Sequence, residues 1–445
     1  MKRIYLWVVW LLLGVTGIGY SQLYDGGLGH YGEEGGRFMG GLGFASISED
    51  GRTRNYLSIA FRPELSFGKI GVGLNINLLY DIEGGGIRAQ DWDSSYDYLR
   101  LLRYLRYGRK MDKTYARIGT LDAARLGHGF IVNYFTNEAS YDNRKIGLEL
   151  DLDFGEYGFE SAVSNLGRSD LLGLRIYLRP MYTLDIPVLK NFAMGATYAA
   201  DLDPDVNAGS DDGISVIGGD LELPLVRTSV FTTMLYFDYA HIRGYSSVEH
   251  RTRIFGAGKA LGIQAGVGNL LGMMEISARI ERRWLGKEFI ASYFDPFYDI
   301  DRFRIVSGDT LHKADALLGV TEETKGIFGE LYGGLLGNKV RLLGMMSRLD
   351  SQPHSGRLHL AAEAPDLIPV LAAHMTYDKG YIEKLGDLFT LDERSVARLG
   401  LGYKLKPYLI AYVDYIWTYA ETKEGSHIYR QQQRIEPKLV FSYNF

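Results

Sequence analysis

The chain has 445 residues, with 55 glycines, 32 tyrosines, 20 phenylalanines, no cysteine and a formal net charge of −5. The missing cysteine excludes a disulfide framework, a CxxC redox site, thiolate zinc and an N-terminal lipidated cysteine. The acidic balance excludes a generally basic nucleic-acid binder, and a mean hydropathy of −0.10 excludes a polytopic helical membrane protein.

Residues 1–21 read as a secretory signal peptide. Lys2 and Arg3 supply the positive start, Ile4 to Leu13 the apolar run, and Gly19 and Ser21 the small residues before cleavage at Gln22. Removing two cations makes the exported chain more acidic. Residues 22–36 are Gly-rich and too short for a plug domain with its own core. From residue 37 to 445 the pattern changes to period-2 alternation. Ile70, Val72, Leu74, Ile76, Leu78 and Tyr80 share one face, with Gly71, Gly73, Asn75 and Asn77 on the other. Ile146, Leu148, Leu150, Leu152 and Phe154 oppose Gly147, Glu149, Asp151 and Asp153. Leu409, Ala411, Val413, Tyr415, Trp417 and Tyr419 form another apolar row. Such rows mark half-buried strands.

The alternation predicts strands at 37–47, 54–67, 70–82, 96–107, 113–121, 143–154, 156–166, 170–182, 191–201, 213–223, 228–240, 256–269, 272–284, 326–336, 339–349, 357–364, 368–378, 395–405, 408–419 and 432–445. Tight turns alternate with long polar connections, notably 122–142 and 285–325. Strands of this length, joined in this rhythm and flanked by aromatics, suit a transmembrane barrel. The expected fold is all-β, a single transmembrane antiparallel up-and-down β-barrel of about 18–20 strands, within a range of roughly 16–22.

The last strand carries Leu439, Phe441, Tyr443 and a terminal Phe445. In this it resembles bacterial outer-membrane β-barrels. The resemblance implies an outer-membrane location in a Gram-negative-type bacterium and contact with outer-membrane lipids. It also implies recognition of Phe441, Tyr443 and Phe445 by the barrel-assembly machinery. It identifies a class, porin-like, and no single family within it.

A barrel this large encloses water unless a plug fills it. The basic candidates for its lining are Arg100, Arg103, Arg106 and Arg117, and the acidic ones are Glu149, Asp151 and Asp153. Opposed charges of this kind select solutes through a field across the pore. The alternative is a set of rim charges paired with one another. Arg100, Arg103, Arg106 and Arg109 recur every third residue, which a regular strand cannot place on one face. A bulge, a rim position or a short helix would reconcile them with a lipid face that tolerates arginine poorly.

Gly129 to Phe135 form an apolar stretch inside loop 122–142, which predicts either a loop folded into the lumen or extra strands; the neighbouring His128 reads as structural. Asp201, Asp203 and Asp205 offer hard oxygen ligands at alternate positions, a weak Ca²⁺ candidate. A solvated acidic loop is the simpler reading, because Val206 and Asp212 stand where an EF-hand needs Gly and Glu. Loop 285–325 is long enough to cover a pore.

Catalytic motifs are missing: Gly244-Tyr245-Ser246-Ser247-Val248 fails GxSxG at its last position, and there is no HExxH or P-loop. The expected function is passive passage of small polar or charged solutes through a porin-like channel. It needs no enzyme activity, cofactor or nucleic acid, and a homo-oligomer is compatible with it. The alternatives are an occluded barrel with a surface-binding or envelope-structural role and, below that, an outer-membrane hydrolase.

Overall fold

A computed structural model of the chain describes residues 35–444, apart from 50–51, 93–97, 99–100, 111, 138–144, 169, 206–211, 307–308, 351, 393 and 422–428. The expected signal peptide, most of the Gly-rich segment, Arg100 and Phe445 lie outside the described residues.

In chain order the strands are β1 (Gly35–Glu49), β2 (Arg52–Phe67), β3 (Ile70–Leu74 and Ile76–Asp81, interrupted at Asn75), β4 (Leu102–Tyr107) and β5 (Thr114–Gly119). There follow β6 (Gly147–Asp153), β7 (Tyr157–Val163), β8 (Leu172–Leu178), β9 (Ala193–Asp201) and β10 (Ile214–Arg227). Next come β11 (Phe231–Ser246), β12 (Arg251–Leu270), β13 (Met274–Leu285), β14 (Thr324–Leu335) and β15 (Val340–Leu349). The last are β16 (Gly356–Ile368), β17 (Leu371–Ile382), β18 (Ser395–Lys406), β19 (Leu409–Glu421) and β20 (Tyr429–Asn444).

Each strand pairs antiparallel with the next. β20 returns to β1, with Tyr443 opposite Phe38 and Phe441 opposite Gly40. The 21 strand segments of this sheet include both pieces of β3, so twenty staves close the barrel among the described residues. Every strand expected from the alternation has its stave. The segment 357–364, the least regular of them, belongs to the longer β16.

The faces follow the alternation. On β8, Leu172, Leu174, Ile176 and Leu178 are 38–56% exposed and point outward, while Gly173 and Arg175 are buried inside. β18 repeats this with Leu401, Tyr403 and Leu405 outside. An apolar outer wall around a polar inner one is stable only with hydrocarbon outside, so the barrel spans a membrane. No described helix is long and apolar enough to cross one.

Between β3 and β4 the register steps from Gly73 opposite Tyr104 to Leu74 opposite Leu102. Arg103 is the extra residue of this β-bulge. The bulge turns Arg103 to the same side as Arg106, so no helix is needed to explain the three-residue arginine spacing.

Most connections on the side of the termini are tight. The exception, 179–192, holds a helical turn at Pro187–Lys190. The long connections lie on the other side, and two of them fold into the barrel. Connection 120–146 and connection 286–323 meet through a parallel bridge between Val132 and Phe294. Phe130, Val132, Phe135, Phe289, Phe294 and Leu317 are buried there. They pack on small inward residues of the wall, among them Ala162, Ala199, Val216, Ala240 and Ala260. This corrects an inner surface read as only glycine and polar residues: between β7 and β13 part of it is an apolar core inside the lumen. Of the two readings of 129–135, the inward fold is the one realised.

Candidate functional site

The inward loop is built around two left-handed glycines. Gly127 has φ +52° and Gly129 φ +83°, and a Cβ at Gly129 would collide with the Asn133 side chain. The turn they make carries His128 to the barrel wall. Its Nδ1 lies 3.0 Å from Asp238 Oδ1 on β11 and its Nε2 3.5 Å from Glu222 Oε1 on β10. The ring stacks on Tyr236, with centroids 3.9 Å apart and planes 17° from parallel. The His128 carbonyl accepts a hydrogen bond from Arg279 on β13, and the Gly127 amide donates to Glu160 Oε2 on β7 at 2.8 Å. On the far side of the loop Arg125 donates to both oxygens of Glu330 on β14, at 2.9 and 3.0 Å. Burial lowers the affinity of His128 for a proton, but Asp238 first and then Glu222 and Asp220 outweigh it, so its pKa stands above the ordinary histidine value.

Beneath the loop runs a ladder of wall charges. Arg175 on β8 pairs with Asp220 and Glu160, each at 2.6 Å, and with Glu222. Glu281 on β13 lies 3.2 Å from Arg279 and 2.6 Å from Arg283, and it accepts the Tyr236 hydroxyl at 2.8 Å. Arg279 also pairs with Glu330 at 2.8 Å. The basic groups and Glu281 are nearly closed off, with Arg175 3% exposed, Arg279 4% and Glu281 0%, while Glu160 and Glu222 are 21% and 20% exposed.

The sequence candidates form a second cluster on the inner side of β4 to β6. Arg103 bonds Glu64 at 2.6 Å. Arg117 lies 2.8 Å from Asp122 and its Nε donates to the Thr120 carbonyl at 2.7 Å. Arg106 is buried and donates to the Gly108 carbonyl. Lys110 bridges Glu149 at 3.1 Å and Asp151 at 2.9 Å. Asp153 pairs with Arg179 at 2.9 Å. Basic and acidic residues are therefore neighbours on one wall, Arg117 standing directly opposite Glu149 in the ladder, rather than two rows facing each other across the pore.

A third cluster lines β17 to β20. Asp414 is contacted by Arg398 at 2.6 Å, Lys438 at 2.8 Å and His374 at 3.2 Å. The basic groups here are more open: Lys438 is 28% exposed, His374 20% and Arg398 17%. Of the charged residues of the His128 ladder and of this third cluster, the sequence marks only Arg125 and Glu160, at the ends of the basic and acidic stretches, and neither as a lining candidate. For the others the mark is a single charge on the non-lipid face of an alternating run, as at Arg175 and Asp414.

The outer acidic loop is not simply solvated. Asp201 accepts the Tyr298 hydroxyl at 2.9 Å and pairs with Arg302 at 3.0 Å. Arg302 also meets Asp170 at 2.9 Å, and Lys145 joins Asp170 at 2.7 Å to Asp299 at 3.0 Å. This network ties three outer connections and the end of β9 together above the luminal core. Burial pushes the Asp170 carboxyl up, and Lys145 and Arg302 bring it below its ordinary value. The Asp203 carboxylate pairs with Arg168 at 3.1 Å, Arg168 also donates to the Asp205 carbonyl at 2.6 Å, and the Asp205 carboxylate lies beside His312. The three alternate carboxylates thus face different side chains. Phe441 is half exposed on the outer face of β20.

No protein-family model and no curated protein matches the chain. Among solved structures it is similar to OccK5 (OpdH) of Pseudomonas aeruginosa at 12% identity and a TM-score of 0.34, over 94% of this chain and 99% of that one. It is similar to OccAB4 of Acinetobacter baumannii at 10% identity and a TM-score of 0.35, again over 94% and 99%. Against CdiB of Acinetobacter baumannii, at 10% identity and a TM-score of 0.33, 92% of this chain spans only 60% of that one. Likenesses this distant carry no function, which has to rest on the chain's own geometry.

Proposed function

We propose that the protein is an outer-membrane channel for small polar or charged solutes, with an off-centre passage. The observation that carries this is the one-sided luminal core. Its wall contacts come almost entirely from β7 to β13, and the two inward loops are bonded to that arc and to β14. The opposite arc, β16 to β20 and on to β3, contributes next to nothing to the core. It keeps partly open charged groups at Arg398, Lys438 and His374 on its inner face. Solute would pass between the loop-covered arc and this one.

The chemistry required is selection by charge, with no bond made or broken. On the open arc Asp414 sits among three basic groups, which favours anionic solutes there. The Arg103, Arg106 and Arg117 cluster adds paired charge near the turn side. Assembly through the Phe441, Tyr443 and Phe445 strand, lipid contact along the outer wall and association into oligomers belong to the same reading. Reconstitution in planar bilayers tests it. Stable conductance steps are expected, and a protein that inserts but stays silent would favour an occluded barrel.

A further inference from the structure

We propose that Asp205, Asp212 and His312 form a divalent-metal site that clips two outer connections together. Asp205 and Asp212 belong to the β9–β10 connection. His312 closes a short two-stranded ribbon, Phe303–Val306 with Asp309–His312, in connection 286–323. The three residues are 6%, 4% and 6% exposed. His312 Nε2 lies 3.9 Å from Asp205 Oδ2 and 3.7 Å from Asp212 Oδ2. Both separations are too long for a hydrogen bond, and Nδ1 is buried with no hydrogen-bond partner. One ligand atom from each residue lies within 4.8 Å of the other two.

Two ligands held about 2.0–2.2 Å from a common tetrahedral ion stand roughly 3.3–3.6 Å apart. Shifts of a few tenths of an ångström in the His312 pairs would therefore seat one. A buried imidazole aimed at two carboxylates suits an ion that accepts nitrogen and oxygen together, such as Zn²⁺ or Mn²⁺. Ca²⁺ prefers six to eight oxygens. No carboxylate or carbonyl accepts from the second ring nitrogen among the described residues, which leaves affinity about 10–100-fold below that of a fully supported site. The ion would hold the connection that builds half of the luminal core to the neighbouring rim.

The test uses the full-length barrel refolded in detergent, stripped with chelator and titrated with Zn²⁺ and, separately, Ca²⁺ by calorimetry. One saturable Zn²⁺ per chain is expected, with Ca²⁺ at least tenfold weaker. His312→Ala and Asp212→Asn should each weaken Zn²⁺ at least tenfold while the barrel keeps its heat-modifiable mobility on gels. Asp205→Asn replaces either variant that fails to refold. Zn²⁺ should also slow proteinase K cleavage within 286–323 in the wild type and not in His312→Ala. The proposal is overturned by the absence of saturable Zn²⁺, by wild-type affinity in His312→Ala, or by loss of binding in His128→Ala instead. That last result would place the ion on His128, Asp220 and Glu222.

Discussion

The two arcs of this barrel obey the same outer rule and different inner ones. Along β7 to β13 the inner face carries small apolar residues, Ala199, Val216, Ala240 and Ala260, above a closed ladder of charges. Along β16 to β20 the inner face carries partly open bases, Lys438, His374 and Arg398, around a buried Asp414. Lipid imposes the outer rows on every strand, so they repeat everywhere. The inner rows depend on what fills the lumen, and here two connections fill one side. In the proposed channel the interior is in this sense divided between protein core and water, and the split falls between neighbouring arcs rather than between levels.

The contrast can be broken most severely at Arg175. Arg175→Ala leaves Glu160, Asp220 and Glu222 without the guanidinium that holds them together. Stripping a buried charge of its partner costs about 3–5 kcal/mol. Arg398→Ala on the open arc leaves Lys438 and His374 beside Asp414, and should cost about 1 kcal/mol or less. Urea unfolding midpoints in detergent measure both; equal losses would remove the distinction between the arcs.

A comparable effect is expected inside the core. Phe294→Ala deletes a fully buried ring of the luminal core, packed edge-on to Tyr298, a change worth about 3–5 kcal/mol at a well-packed site. Because the barrel itself stays closed, the loss should appear as loop release. Single-channel conductance should rise and become noisier, and proteinase K should cut 286–323 faster.

A moderate effect is expected from pH. The folded pKa of His128 is raised, so the stability it lends the inward loop is fully present below the ordinary histidine value and is lost as pH rises through the raised one. Asp170 is lowered, so its contribution is present above the ordinary carboxylate value and is lost as pH falls through the depressed one. The inward loops should therefore be best held in mildly acidic to neutral solution and loosen on either side. Protease sensitivity of 120–146 followed from pH 4 to 9 checks this, and His128→Gln should flatten the alkaline limb. The smallest effect should come from Arg103→Glu with Arg106→Glu, whose neighbours already include acids. A change in reversal potential is expected, of a size below that produced by Lys438→Glu.

The fold was legible because lipid enforces period 2 on nearly every strand, and the turn rhythm separates the strands. The odd spacing of Arg100, Arg103, Arg106 and Arg109 was legible as a conflict, and the bulge at Arg103 is how the chain brings Arg103 and Arg106 to one side. The charge ladder was not legible. Arg175 finds Asp220 and Glu222 across β9, some 45 residues on, and no local pattern encodes that meeting. The apolar inner arc was hidden for another reason. Where both faces are apolar, as at Ile214, Val216 and Ile217, the alternation fades and the run reads as an irregular strand. The stretch from Gly129 to Phe135 did carry a signal, an apolar segment in a polar connection, and the inward fold is what that signal meant.

Introduced cysteines test the central claim most directly, because the native chain has none. Single-channel current is followed while a membrane-impermeant, cysteine-reactive reagent is added to Lys438→Cys and to Ala240→Cys. A water-filled passage along the open arc predicts stepwise block at Lys438→Cys and no change at Ala240→Cys, which lies under the luminal core. Block at Ala240→Cys with an inert Lys438→Cys would contradict it.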